Sequence, residues 1–239
     1  MSGAPPTPPA TEPAVQPAPS VYVTALPELL APVQAGAVDR FVALAEDLDL
    51  TGPESDPARL LVSVPLVLGY LTRDDVPPAR FALTRLPEPF TATPLAKHAF
   101  NLVASTSQRT YPNVYARAQV LREFVAAGCG FGPADQDFTQ IVSLLLDHFL
   151  DGFRKRAFQL VSKSYTSIPL ALAQFYLGLP EEKLIADTTR EGWQFADGVF
   201  TPKHVADPST SQTFAARPSS IKSFDQVVRA AAQLESFAS

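Results

Sequence analysis

The chain has 239 residues, a net charge of −5 at pH 7, 46 % hydrophobic residues and only 18 % charged ones. At about 100–200 residues per domain, this length makes one large domain or two small ones, and the acidic balance disfavours a partner held through phosphates. No apolar run reaches the ~20 residues that span a bilayer, the start lacks the basic-then-apolar order of a signal peptide, and the single cysteine, Cys129, excludes an intrachain disulfide framework, so a reducing compartment, cytoplasm or nucleus, is expected.

Residues 1–20 hold Pro5, Pro6, Pro8, Pro9, Pro13, Pro17 and Pro19 and almost no large apolar side chain. Such a segment buries too little surface to offset its conformational entropy, and a disordered tail is expected. From Val21 to residue 133 the pattern is that of short helices with short connections. Val38, Phe41, Val42, Leu44, Ala45 and Leu48 mark one helix within Val33 to Leu50. Asp56-Pro57 pairs a cap with a first-turn proline, and Leu60 to Leu71 is strongly apolar, with a kink expected at Pro65. Asp74-Asp75 breaks that run. Arg80 to Leu86, Leu95 to Val103 and Val114 to Val125 are further helices, with a break at Tyr111-Pro112. Helices in pairs, each burying its apolar side on the next, predict an α-solenoid of helical repeats, although no repeat of fixed length is present.

Gly128, Gly130 and Gly132 make the loop before Pro133 glycine-rich, but it lacks the Gly-Lys-Ser/Thr ending of a phosphate cradle and reads as a connector. The second unit, 134–202, begins with a longer helix carrying Phe138, Ile141, Val142, Leu145, Leu146 and Phe149 on one face, and Gly152 is a candidate kink before a helix from Phe153. Tyr165-Thr166-Ser167-Ile168 is short and β-branched. Ser167 is positioned to cap a helix from Leu170 to Leu177, with Pro169 near its first turn and Gly178 at its end. Pro180 opens a third helix with Glu181 and Glu182 in its first turn, where the helix dipole favours negative charge, and Gly192 ends it. Trp193 to Pro202 is a hairpin about Asp197-Gly198, the dipeptide of a two-residue turn, and that register sets Phe195 opposite Phe200. Helix, short strand, helix, helix and hairpin is the order of a winged helix. Residues 203–219 form a polar linker, and 220–239 an amphipathic helix with the stripe Ile221, Phe224, Val227, Val228, Ala231 and Leu234, suited to a partner helix or bundle.

Chemistry-bearing clusters are missing from the pattern. His98, His148 and His204 are far apart and have no ligand-like neighbour at short helical spacing. Cys129 has no patterned histidine, and the acidic pairs suit helix ends better than acid–base work. No catalytic residue, metal or cofactor is expected. A winged helix often reads DNA through its third helix, but here that helix carries Glu181, Glu182, Asp187 and Glu191 against Lys183 and Arg190, so phosphate repels it. Arg154-Lys155-Arg156 is a local basic run on the preceding helix and reads as a solvated face. Protein contact is the remaining use, through a hairpin edge with free main-chain groups.

Specific residues also carry a resemblance. Tyr165-Thr166-Ser167-Ile168, Leu177-Gly178-Leu179-Pro180-Glu181-Glu182 and Glu191-Gly192-Trp193-Gln194 closely resemble the small PCI subunits of the COP9 signalosome, the subunit 8 family. Arg154 to Tyr165 is similar to the same family. So are Gly69-Tyr70-Leu71 through Asp75 to Ala79-Arg80-Phe81, Leu86-Pro87, and Tyr111-Pro112-Asn113-Val114-Tyr115. The likeness runs from about Leu60 to Pro202; the proline-rich start and Lys203 to Ser219 match no part of it. It implies a non-catalytic scaffold subunit of a complex that removes Nedd8 from cullins and so regulates cullin-RING ubiquitin ligases, with the catalytic zinc in another subunit. It implies partners among the other PCI subunits, reached through the wing and sheet edge (Tyr165, Ser167, Gln194, Phe195, Phe200) and through the C-terminal helix bundle. The small PCI subunit of the proteasome regulatory lid and the k subunit of translation initiation factor three share the layout.

Overall fold

The structure, a computed structural model, describes residues 20–202. The proline-rich tail up to residue 19, the linker 203–219 and the helix 220–239 lie outside the described residues. Among those described, ten α-helices precede and flank a small antiparallel sheet. The first is α1 (Val21–Gln34), capped by Ser20, whose side-chain oxygen accepts from the Tyr22 N–H at 3.3 Å and whose hydroxyl donates to Asp56 at 2.5 Å. Pro27 and Pro32 lie inside α1 without ending it. Gly36, at φ 70°, separates α1 from α2 (Val38–Thr51), where the sequence pattern runs the two together from Val33. In α2, Phe41, Val42, Ala45 and Asp49 share the buried stripe.

Asp56 caps a short 3-10 turn (Pro57–Arg59) by accepting from the Ala58 N–H at 2.8 Å, and α3 (Leu60–Thr72) follows. Every residue from Leu60 to Leu71 is buried. A helix apolar on all sides is a core helix, and α3 packs on α1, α2 and the helices that follow. α3 continues through Pro65. Next come α4 (Val76–Thr84), α5 (Glu88–Thr91), α6 (Pro94–Ser107) and α7 (Tyr111–Ala126). α4 starts four residues before the expected Arg80. Pro112 belongs to the first turn of α7, where a missing N–H costs nothing, so the break falls at Arg109-Thr110 instead.

Both interruptions use the same device. Asp74 (φ 67°) and Arg109 (φ 52°) take the left-handed position past the ends of α3 and α6. The Asp75 N–H donates to the Tyr70 carbonyl at 2.9 Å, and the Thr110 N–H donates to that of Ser105 at 3.1 Å. Glycine is the usual residue there, and a side chain costs about 1–2 kcal/mol.

α8 (Ala134–Ser164) spans 31 residues. It passes through Gly152 without interruption, so the two helices expected on either side of that glycine are one. Its first half packs on α1, α3 and α7, with Phe138, Ile141, Val142, Leu145, Leu146, Phe149 and Phe153 in the larger core. Consecutive helices thus pair as a helical-repeat pattern demands, and α8 additionally closes onto α1 and α3.

The chain then enters β1 (Ile168–Pro169), α9 (Leu170–Leu177), α10 (Glu181–Arg190), β2 (Gln194–Ala196) and β3 (Val199–Thr201). The antiparallel sheet has the order β1-β3-β2, with Ile168 opposite Phe200 and Phe195 opposite Phe200 on the other side. Helix, strand, two helices and a hairpin with this strand order make the winged-helix arrangement. The α9 start corrects the expected cap: Pro169 occupies the cap position and no side chain accepts there, because pairing with β3 draws Ile168 and Pro169 into the sheet. The Leu170 N–H donates to the Gly198 carbonyl at 2.9 Å instead. Gly178 ends α9 at φ 60°, and Asp197 and Gly198 both hold positive φ in the hairpin turn.

A polar cluster ties four elements of the larger core. Asp49 is 2 % exposed and accepts from Arg59 Nε at 3.0 Å, Ser63 Oγ at 2.9 Å and Arg85 Nη2 at 2.7 Å. Arg59 Nη2 also donates to the Asp49 carbonyl at 3.2 Å. A buried carboxylate is tolerated because these donors replace water.

Candidate functional site

The winged helix is held by a small core of Ala157 and Val161 from α8, Ile168, Ala173, Leu177, Leu184, Trp193 and Phe200. Trp193 stacks on Phe158 with ring centroids 4.5 Å apart, and meets Phe200 edge-on at 6.2 Å. Phe195 lies 4.5 Å from Phe200 across the hairpin. The wing is therefore fixed from beneath by aromatic packing, which adds about 0.5–1.5 kcal/mol per pair beyond burial.

β2 is one edge of this sheet, and β1, the other, is two residues long and contains a proline with no N–H to offer. In a two-residue hairpin the pair flanking the turn, Ala196 and Val199, is hydrogen-bonded, and the next pair, Phe195 and Phe200, is not. The N–H and C=O of Phe195 consequently point to the open side of β2. Gln194 is exposed and Phe195 half-buried on this strand; Ser167 is exposed just before β1. Tyr165 is half-buried, its hydroxyl 3.2 Å from that of Tyr176. Phe200 is fully buried in the small core. Its side chain supports the wing from below and is no surface contact, because β3 is the central strand and its inward residue fills the core. Ile221, Phe224, Val227, Val228, Ala231 and Leu234 lie outside the described residues.

Two features of this region escape the sequence pattern. Phe175 on α9 is 50 % exposed. α9 is apolar on most sides (Leu170, Leu172, Phe175, Leu177) although only Ala173 and Leu177 are buried, a sign of a helix with two faces to satisfy. The second is an aromatic junction with the larger core. The Tyr115 hydroxyl on α7 donates to the Tyr176 carbonyl on α9 at 2.9 Å, while Tyr111 meets Tyr176 edge-on at 5.1 Å and Phe153 at 5.5 Å. Burial pushes the Tyr115 phenol well above its ordinary range. A Cβ on Gly178 would overlap the Tyr115 ring, so this glycine serves both a left-handed turn and a close approach.

The electrostatics suit a protein partner. Glu181 and Glu182 are exposed in the first turn of α10. Of the basic run on α8, Arg154 lies over the Tyr115 ring at 5.2 Å and Arg156 is 3.4 Å from Asp74, so two of its three cations serve packing. Among the described residues no group of three or more His, Cys, Asp and Glu side chains is placed to hold a metal ion. Burial, with Asp135 beside it, pushes the Cys129 thiol up to about 11, so it stays protonated near neutral pH.

A comparison with known protein families falls on the same region. Residues 132–213 match the family model described as the CSN8/PSMD8/EIF3K family. Two curated relatives are both named COP9 signalosome complex subunit 8. The one from Dictyostelium discoideum is 26 % identical over 140 residues, 58 % of this chain and 63 % of the relative. The one from Xenopus laevis is 25 % identical over 137 residues, 56 % of this chain and 63 % of the relative. The chain thus spans about 63 % of the length of these relatives. The resemblance to subunit 8 read from the residues is borne out, at modest identity.

Proposed function

We propose that the chain is a non-catalytic scaffold subunit of the COP9 signalosome, the complex that removes Nedd8 from cullins and so regulates cullin-RING ubiquitin ligases. The observation that carries it is the coincidence of the winged helix with the matched segment 132–213, within a chain whose named relatives are signalosome subunits. The deneddylase activity belongs to another subunit in this reading. Residues 21–133 form the helical-repeat unit and 134–202 the PCI winged helix. The open edge of β2, with Gln194 and Phe195, receives a neighbouring PCI subunit by strand addition, assisted by Tyr165 and Ser167. Beyond the linker 203–219, the stripe from Ile221 to Leu234 enters a helical bundle with other subunits. The place of action is cytoplasm and nucleus.

Since the family model carries three names, a subunit of the proteasome regulatory lid or of translation initiation factor three is the second reading. A DNA-reading winged helix is disfavoured by the acidic start of α10. Affinity purification of the tagged full chain followed by mass spectrometry separates them. Signalosome subunits are expected in stoichiometric amounts; recovery of lid or initiation-factor subunits in their place would reject the first reading. Removing residues 220–239 is expected to leave the fold intact by circular dichroism and to lower incorporation sharply.

A further inference from the structure

Beside α4 runs a groove of about 540 Å³, floored by Thr106 and walled by Pro77, Arg80, Phe81 and Arg109. It continues past Asp74 and Arg109 into a second recess of about 210 Å³, bounded by Tyr111, Arg156 and Leu160. Large apolar side chains stand exposed at both ends: Phe81 is 66 % exposed and Leu160 46 %. Between them lie three guanidiniums, Arg80, Arg109 and Arg156, against one carboxylate, Asp74. Among the described residues, no carboxylate lies within ion-pair distance of Arg80 or Arg109. The groove is thus net positive on a chain of charge −5. Arg109 also holds a left-handed backbone where glycine would be unstrained. Such strain persists where the surrounding structure enforces it, and here it sets a guanidinium at the junction of the two recesses.

We propose that this groove docks an acidic linear peptide segment of another protein, with apolar anchors that cover Phe81 and Leu160. Charge complementarity selects the occupant. The chain's own ends do not supply it: residues 203–239 carry Lys203, Arg217, Lys222 and Arg229 against Asp207, Asp225 and Glu235, and residues 1–19 offer only Glu12. A nucleic acid would meet the positive centre but offer no apolar anchor to the exposed phenylalanine and leucine, and would be repelled by the rest of the surface.

The test uses the full chain and a fluorescein-labelled peptide of glutamates and aspartates flanking one phenylalanine and one leucine, read by fluorescence anisotropy. Binding is expected to weaken with added salt and to fall by about tenfold in the Arg80→Gln/Arg109→Gly double variant, and by several-fold in Phe81→Ser. All three positions are exposed and glycine suits the Arg109 backbone, so the variants keep their fold, checked by melting temperature. As an independent measurement, amide resonances of residues 76–84 and 107–111 are expected to shift on titration of the wild-type chain. The proposal is overturned if the acidic probe does not bind, if a lysine counterpart or an oligothymidylate of equal length binds as well, or if the variants bind like wild type. It is equally overturned if a synthetic peptide of residues 203–239 displaces the probe, which would give the groove to the chain's own tail. Self-association of the wild type that Arg109→Gly abolishes would give the groove to a second copy and overturn the proposal too.

Discussion

The two cores that share α8 differ in how many side chains hold them. The larger one is built around α3, where twelve consecutive residues from Leu60 to Leu71 are buried against helices on several sides. The smaller one has eight buried side chains, and two of them, Trp193 and Phe200, are the aromatic ones. A core with many interlocking helices distributes its stability, so the loss of one aliphatic side chain is shared. A core of eight residues concentrates it, so one aromatic decides whether the wing keeps its shape. The polar content differs in the same direction: the larger core houses the Asp49 cluster, while the smaller one joins its neighbour through tyrosines. The part proposed to meet partners is thus the less redundant part, held in place by contacts with the more redundant one.

The largest expected effect is in the larger core. Asp49→Ala leaves Arg59 buried without its carboxylate and should cost about 3–5 kcal/mol, read as a lowered urea midpoint; a cost below about 1 kcal/mol would mean that the Arg59 guanidinium finds other acceptors. Trp193→Ala should cost a similar amount, about 3–5 kcal/mol, but unevenly. Hydrogen exchange should quicken in β1, α9, α10, β2 and β3 while α1 to α7 keep their protection. Equal loss of protection everywhere would erase the distinction between the cores. Gly178→Ala should cost about 1–3 kcal/mol through its left-handed backbone and the Tyr115 ring. In a Tyr115→Ala background the same substitution should cost only the backbone part, about 1 kcal/mol, as a double-mutant cycle would read.

Tyr115→Phe gives the smallest effect, about 1 kcal/mol for one lost hydrogen bond, with a pH signature. Burial raises the Tyr115 phenol above its ordinary value of 10.0 in the folded chain. The folded state therefore keeps a proton that the unfolded state releases, and the stabilisation, complete below about pH 10, declines as pH rises above it. Wild type should lose stability across this alkaline range faster than Tyr115→Phe. Parallel declines would show that this phenol does not titrate differently on folding.

Local rules explain what was legible in the sequence. The Asp197-Gly198 turn and the Phe195–Phe200 pairing follow from two-residue hairpin geometry, and the glycine stop at Gly178 from the left-handed cap; all three appear as expected. The core character of Leu60 to Leu71 follows from unbroken hydrophobicity. What failed depends on residues distant in sequence. Ser167 does not cap α9 because Phe200 recruits Ile168 into a sheet. Asp49 carries no sequence mark, since its partners lie 10, 14 and 36 positions away. The expected contact residues divide likewise: alternation along β2 exposes Gln194, but only the strand order, which makes β3 central, reveals that Phe200 is buried. The Arg80–Arg109 groove and the recess it joins are invisible in sequence because their walls come from four separate helices, α4, α6, α7 and α8.

The packing of α1 on α8 also constrains how the molecule is made. α1 meets α2 and α3 early but finds α8 only after about one hundred further residues have been synthesised, roughly 10 s at about 5–20 residues per second. Until then Tyr22, Leu26, Leu29 and Val33, all fully or almost fully buried in the finished fold, have part of their cover missing. Closing so long a loop is entropically costly and slow. The nascent chain is therefore expected to leave α1 partly uncovered while residues 35–133 are synthesised, a natural client for a chaperone, and to complete its cover in a late step when α8 emerges and both cores gain their shared wall.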